Sequence, residues 1–403
     1  MRFLIALLAA LLLPALPAAA RQADRPVTIL ISIDGFRSDY LDRGITPNLT
    51  RLAADGAAGP MRPSFPTKTF PNHYTLVTGL RPDRNGIAGN SMIDPRRPGQ
   101  LFSLSDARQT LDPFWWSEAE PVWITAERAG IRTATMFWPG SEVPFAGIRP
   151  SDWLRFDQNI GNRQRVRSVI DWLRRPAAIR PALITLYFDT VDTAGHRFGP
   201  ESEEVNAAIA EVDARIGELV QGLAELGQAA NFVVVADHGM RQTDAARVIQ
   251  LDDFIDRESY VAVETGPYAA IEPVTGTDSR VADALLVPHE HMDCRRKEDL
   301  PARLHYGANP RVAAIICIAE NGWTILSGPP RYPVAGGAHG FDNSDPQMLA
   351  LFIASGPAFA DGVRLPVFDN VDVAPLLRRV LGLPQDPQLD GALAPLEPAL
   401  AGD

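Results

Sequence analysis

Five continuous apolar runs rich in β-branched residues lie along the chain, at 27–33, 133–138, 183–188, 232–236 and 348–354. Each gives way to Asp, Gly or Pro within two residues. Runs that do not alternate with polar residues are the pattern of strands buried on both faces. Between them the period changes. From 203 to 223, Val205, Ala208, Ile209, Val212, Ile216 and Val220 recur at spacings of three and four, the apolar stripe of an amphipathic helix. Thr46-Pro47-Asn48-Leu49 opens another. Strand and helix alternate, so the spacing predicts an α/β fold with a mostly parallel sheet covered by helices on both faces. The stretch at about 248–326 departs from this rhythm, with short strands, many charges and both cysteines, and is expected to be an inserted subdomain packed on the main sheet. The proline-rich tail from Pro384 reads as coil lying on the surface.

The first residues are expected to stand outside the fold. Arg2 precedes an apolar run at 3–13, followed by Pro14, Pro17 and Ala18-Ala19-Ala20, the layout of a secretory signal over 1–20. That run is too short to span a bilayer, and no later stretch is long and apolar enough, so no transmembrane segment is expected. The chain therefore reads as exported, to a periplasm or the medium, with one mature domain over 21–403. Export favours pairing of its two cysteines, Cys294 and Cys317. The net charge of −11 argues against electrostatic binding of duplex nucleic acid. A small polyanion would need metal ions to supply positive charge.

In open sheets of this kind ligands bind beyond the carboxyl ends of the strands. Asp34, Asp189, Asp192, Asp237 and His238 all fall there. Asp192 and His196 stand four apart, so on a helical turn a carboxylate and an imidazole share one face and can meet one ion. His339 sits in Gly336-Gly337-Ala338-His339-Gly340, where glycines leave the ring little cover. Pro66-Thr67-Lys68-Thr69-Phe70-Pro71-Asn72-His73-Tyr74 is a proline-stiffened loop able to hold a nucleophile. A threonine hydroxyl needs a base or a metal to act, and the residues alone do not choose between Thr67 and Thr69. Three Asp and three His suit two ions of the zinc type with three ligands each. Two adjacent ions are a standard means of phosphoryl displacement.

These motifs, with Ile33-Asp34-Gly35-Phe36-Arg37, Thr78-Gly79-Leu80, Gly89-Asn90-Ser91-Met92 and Asp237-His238-Gly239-Met240, resemble the nucleotide pyrophosphatase/phosphodiesterase family of the alkaline phosphatase superfamily. The resemblance covers nearly the whole chain after residue 20. It implies a three-layer alkaline-phosphatase-like α/β fold and two Zn²⁺ per chain. Asp192, His196 and His339 would hold one ion; Asp34, Asp237 and His238 the other. Thr69 would be the nucleophile beside the second ion, forming a phospho-threonine intermediate, with Asn90 stabilising the oxyanion. Phe70 and Tyr187 would sandwich the base of a small-molecule nucleotide, released as a 5'-monophosphate. One departure stands before the metal Asp, where the family's acidic pair with proline is replaced by Asp189-Thr190-Val191-Asp192. The remaining histidines, His73, His289, His291 and His305, are expected to be structural. Hydrolysis of phospholipid or choline phosphodiesters is the alternative within the fold. A non-catalytic binding protein is the alternative outside it, and no ligand position has been lost to favour it. Oligomeric state is not legible.

Overall fold

The structure is a computed structural model that describes residues 26–330 and 334–402; the expected export signal lies outside them. The strands used below are β1 (Val27–Ile33), β2 (Gly56–Arg62), β3 (Thr133–Met136), β4 (Asp152–Leu154), β5 (Leu183–Phe188), β6 (Ala230–Val235), β7 (Tyr260–Glu264), β8 (Tyr268–Pro273), β9 (Met292–Arg296), β10 (Ile315–Ala319), β11 (Ala350–Ser355) and β12 (Val363–Arg364). The helices are α1 (Pro47–Ala54), α2 (Thr69–Thr78), α3 (Asn162–Leu173), α4 (Thr190–Phe198), α5 (Glu203–Glu225) and α6 (Val373–Leu381). The main sheet runs β12-β2-β11-β6-β1-β5-β3-β4. Its central strands β6, β1, β5 and β3 are parallel, and β11 alone runs antiparallel to both its neighbours. α1, α3 and α4 gather on α5, while α2 packs on α6. β1, β5, β6 and β11 are buried along their whole lengths, as continuous apolar runs require.

Helix α5 buries the stripe Val205, Ala208, Ile209, Val212 and Ile216. Ser202 caps it by accepting a hydrogen bond from the Val205 N–H, and Glu203 and Glu204 occupy the positive end of its dipole. The run at 133–138 yields a shorter strand than its hydrophobicity suggests. Phe137 has φ 63°, so the chain turns after Met136 and delivers Phe137 and Trp138 to a cavity wall. β2, Gly-Ala-Ala-Gly-Pro-Met-Arg, carries no strand signal in its composition. It pairs with β11 so closely that a Cβ on Gly56 would lie 2.2 Å from the Ala354 carbonyl oxygen. The tail from Pro384 contains a 3-10 turn over Ala394–Ala399 whose Leu396 is buried.

Between β6 and β11 a second sheet forms in the order β7-β8-β10-β9, all antiparallel. It has a core of its own that includes Leu251, Ile271, Val281, Ile315 and Ile325. Cys294 and Cys317 stand directly opposite each other on β9 and β10 and are joined by a disulfide.

A buried ion pair ties this region to the main body. Arg311 Nε donates to Asp94 Oδ2 at 2.8 Å, both side chains being fully shielded, and the guanidinium also donates to the carbonyls of Gly86, Trp115 and Phe114. Burial alone would raise the Asp94 carboxyl, but its bonds to Arg96 and Arg311 hold it far below the usual range. A carboxylate with a depressed folded pKa contributes stability above its unfolded pKa of ~4 that is lost as pH falls. Asp94→Asn should therefore cost about 3–5 kcal/mol at neutral pH, as for any broken buried pair. The gap between variant and parent should narrow steadily below about pH 4. Urea melts across that range measure both.

Candidate active site

The carboxyl ends of β1, β5 and β6 meet at one point, because Ser32 on β1 pairs with Tyr187 on one side and Val235 on the other. The next residues, Asp34, Asp189 and Asp237, therefore leave the sheet together. Asp34 is anchored by the Tyr187 hydroxyl, which donates to Oδ2 at 2.6 Å. Asp237 is anchored by the Gly35 N–H, which donates to Oδ1 at 3.2 Å. Asp189 turns aside to Arg165 at 2.7 Å, and so takes no place in the cluster. Helix α4 follows and sets Asp192 and His196 on one face, 3.5 Å apart. His339 arrives from the glycine loop, its Nε2 3.8 Å from the same Asp192 oxygen. His238 Nε2 lies 2.9 Å from Asp237 and 3.5 Å from Asp34, and its ring stacks on His339 at 3.5 Å.

The three histidines share one device. Nδ1 of His196 is bonded to the Gly337 carbonyl, that of His238 to the Gly239 carbonyl and that of His339 to the Thr67 carbonyl, at 2.8, 2.9 and 2.8 Å. A carbonyl only accepts, so each Nδ1 carries a proton and each Nε2 is turned toward the cluster; burial lowers the His238 ring, but the charge and hydrogen bond of Asp237 outweigh it and push the ring up. The Nδ1 bonding is the backing that metal-ligating imidazoles receive. The carboxylates match it: Asp34 Oδ1, Asp192 Oδ1 and Asp237 Oδ2 are buried with no hydrogen bond among the described residues. Buried charged oxygens without partners are expensive, and cations remove the cost. Burial and the charges of Asp237 and Asp192 push the Asp34 carboxyl well up. Burial, with His238, Lys68 and His196 nearby, pushes His339 well down, which keeps its ring neutral and fit to ligate. Ligand atoms of Asp192, His196 and His339 lie within 4.8 Å of one another, and so do those of Asp34, Asp192 and His238. His73 falls equally close to Asp34 and Asp237, but both its ring nitrogens are occupied, by the Thr69 carbonyl and the Ser32 hydroxyl, each at 2.8 Å. It supports the cluster from behind.

The two threonines separate clearly. Thr67 is wholly buried; its hydroxyl donates to the Phe341 carbonyl and accepts from the Gly340 N–H, both at 2.9 Å. Thr69 lines a cavity of about 580 Å³, and its Oγ1 is 3.3 Å from His238 Nε2. It does not sit in a loop. Thr69 is the first residue of α2, with Pro71 tolerated in the first turn, so its hydroxyl stands at the positive end of a helix dipole. Asn90 Oδ1 accepts the Phe70 N–H at 2.9 Å, which turns the Asn90 amide N–H groups away from the helix. Asn90, Phe70 and Tyr187 all line the cavity. Tyr187, however, is only 9% exposed and its hydroxyl is committed to Asp34. A more exposed ring at this wall is Phe156, 44% exposed and 5.8 Å from Tyr187, which no sequence motif singled out. His289, His291 and His305 do not line the cavity.

A mostly parallel sheet with carboxylates, imidazoles and a helix-terminal hydroxyl at its carboxyl edge defines a metal-dependent hydrolase of the alkaline-phosphatase-like fold. The chain belongs to the type I phosphodiesterase / nucleotide pyrophosphatase family, whose model matches residues 28–342. It is 39% identical to an uncharacterized pyrophosphatase/phosphodiesterase of Schizosaccharomyces pombe, over 91% of this chain and 79% of that one. It is 36% identical to the bis(5'-adenosyl)-triphosphatase ENPP4 of Bos taurus, over 96% and 85%. Murine ectonucleotide pyrophosphatase/phosphodiesterase 5 superposes with a TM-score of 0.89 at 35% identity, over 93% of this chain and all of that one. The same murine protein, as an inactive threonine-to-alanine variant in complex with AMP, superposes with a TM-score of 0.88 at 34% identity, over 94% and 100%.

Proposed function

We propose that this protein is an exported nucleotide phosphodiesterase that binds two zinc ions and releases nucleoside 5'-monophosphates through a covalent intermediate on Thr69. The observation that carries the reading is the Thr69 hydroxyl, cavity-facing at a helix N-terminus and 3.3 Å from an imidazole nitrogen, beside three carboxylate oxygens without hydrogen bonds. Asp192, His196 and His339 would hold one ion; Asp34, Asp237 and His238 the other. Bound there, the ions would supply Lewis-acid stabilisation to phosphoryl oxygens and lower the pKa of a nearby hydroxyl. Thr69 Oγ1 bonds to phosphorus as the bond to the leaving oxygen breaks, and the hydroxyl proton passes through solvent to that departing oxygen. Water then cleaves the Oγ1–P bond, freeing the nucleotide and restoring the hydroxyl. Asn90, its Oδ1 held by Phe70, offers its amide N–H to the oxygen that gains charge. The murine relative, inactive without a threonine yet in complex with AMP, supports both the nucleophile class and the ligand class. The Cys294–Cys317 disulfide supports export to an oxidising compartment.

Base recognition falls to Phe70 and Phe156 on the cavity walls. Stacking on an aromatic ring is worth ~1–3 kcal/mol per base. Phe156→Ala should therefore lower kcat/KM for a nucleotide diester by roughly 10–100-fold and leave a small diester without a base nearly unchanged. Tyr187→Ala should harm both substrates alike, because it strips Asp34 of its anchor. Equal losses for Phe156→Ala on both substrates would overturn this assignment.

A further inference from the structure

Lys68 and Glu264 form a buried ion pair that the proposed chemistry does not use. Lys68 immediately precedes Thr69 and is 8% exposed. Its Nζ lies 3.6 Å from Glu264 Oε1 and 5.7 Å from the centre of the Tyr268 ring. Its stem crosses the backbone next to His339: Gly340 has φ +113°, and a Cβ there would fall 2.7 Å from Lys68 Cε. Glu264 belongs to the inserted sheet. It ends β7, where a bulge after Ala262 shifts the register and re-aims its side chain. Its Oε2 accepts the Ser91 N–H at 3.1 Å and the Tyr268 O–H at 2.8 Å.

Ser91 follows Asn90, and Asn90 Oδ1 holds the Phe70 N–H. The contacts thus close a ring: Lys68, Thr69, Phe70, Asn90, Ser91, Glu264 and back to Lys68. Neither Lys68 nor Glu264 is among the residues that line the cavity, so the pair stands behind its wall. A buried ion pair is poor value as a stabiliser, since an apolar pair of similar volume does as well or better. We propose that Glu264 is a positioning residue, through which the inserted subdomain sets the distance between the Thr69 hydroxyl and the Asn90 amide. The proposal rests on the roles given above to Thr69 and Asn90.

The test is a double-mutant cycle in the zinc-loaded full chain, with a chromogenic nucleotide phosphodiester as substrate and metal content and melting temperature measured alongside. Asn90→Ala should lower kcat by roughly 10²-fold. Glu264→Ala should lower kcat by roughly 10–100-fold, the scale of a small misplacement, with KM and metal content little changed. The double variant should be no more than about threefold worse than Asn90→Ala, because Glu264 acts through that amide. Glu264→Gln keeps an acceptor for the Ser91 N–H and should recover much of the rate. Additive losses, a pure rise in KM, or no gain from Gln over Ala would overturn the proposal. If Glu264→Ala does not fold, Tyr268→Phe decides. It removes only the O–H on Oε2, so an Asn90-dependent fall in kcat supports the proposal and an unchanged kcat overturns it. An Asn90→Ala variant with normal kcat would instead overturn the reading of Asn90 itself, a result visible before Glu264 is touched.

Discussion

Replacing Thr69 by alanine should lower kcat on nucleotide diesters by roughly 10⁴-fold or more, as loss of a covalent nucleophile does elsewhere. Fold and metal content should survive, since among the described residues the Thr69 hydroxyl makes no bond apart from its approach to His238 at 3.3 Å. Thr69→Ser should retain a substantial part of the rate because the hydroxyl remains. Thr67→Ala should behave in the opposite way. Its hydroxyl bridges Phe341 and Gly340 in the interior, so its loss should cost about 1–3 kcal/mol of stability and act on rate only through the placing of His339. Rapid kinetics and melting curves on the three variants separate these outcomes. A dead Thr67→Ala beside a normal Thr69→Ala would reverse the assignment.

Stripping the metal should remove activity by roughly 10³-fold or more, the equivalent of ~4 kcal/mol of charge stabilisation. Adding zinc back should restore it. Asp237→Ala should mimic the stripped protein at ordinary zinc concentrations, because it removes a ligand whose other oxygen is already fixed by Gly35. The affinity for zinc should also fall as pH drops. Burial and two like charges hold the Asp34 carboxyl well above its ordinary value, so protons compete for it at a higher pH than for an exposed aspartate. The raised pKa also fixes the sign for the metal-free protein. The stability due to Asp34 is fully present when it is protonated, at acid pH, and is lost as pH rises through its folded pKa. Metal titrations followed by calorimetry at several pH values, with melting of the stripped protein, check both trends. Full activity in protein shown to be free of metal would sink the two-ion reading.

Legibility followed the physics of each segment. β1, β5, β6 and α5 are announced by their own side chains, since full burial demands continuous apolar runs and a packed helix demands a stripe. The candidate ligands were legible because a carboxylate or imidazole at a strand end has few ordinary uses. β2 was hidden because close pairing required glycine, which erases the strand signal. The start of α2 at Thr69 was hidden because Pro66 and Pro71 read as loop, although proline costs little in a first turn. Thr67 and Thr69 differ only in what surrounds them, which no local pattern records. Phe156 follows a short edge strand and meets Tyr187 from the next strand but one in the sheet, while Glu264 ends a bulged strand and acts on Ser91 and Lys68 far back in the chain; neither stands in a motif.

The most direct test is to catch the intermediate. Zinc-loaded enzyme mixed with a nucleotide diester labelled at phosphorus, quenched within a turnover and digested, should yield a labelled peptide. The account predicts nucleotide bound covalently at Thr69, at no more than one per chain, rising and decaying at rates that match turnover. Turnover with no labelled peptide, or label on Thr67 or any other residue, would contradict it.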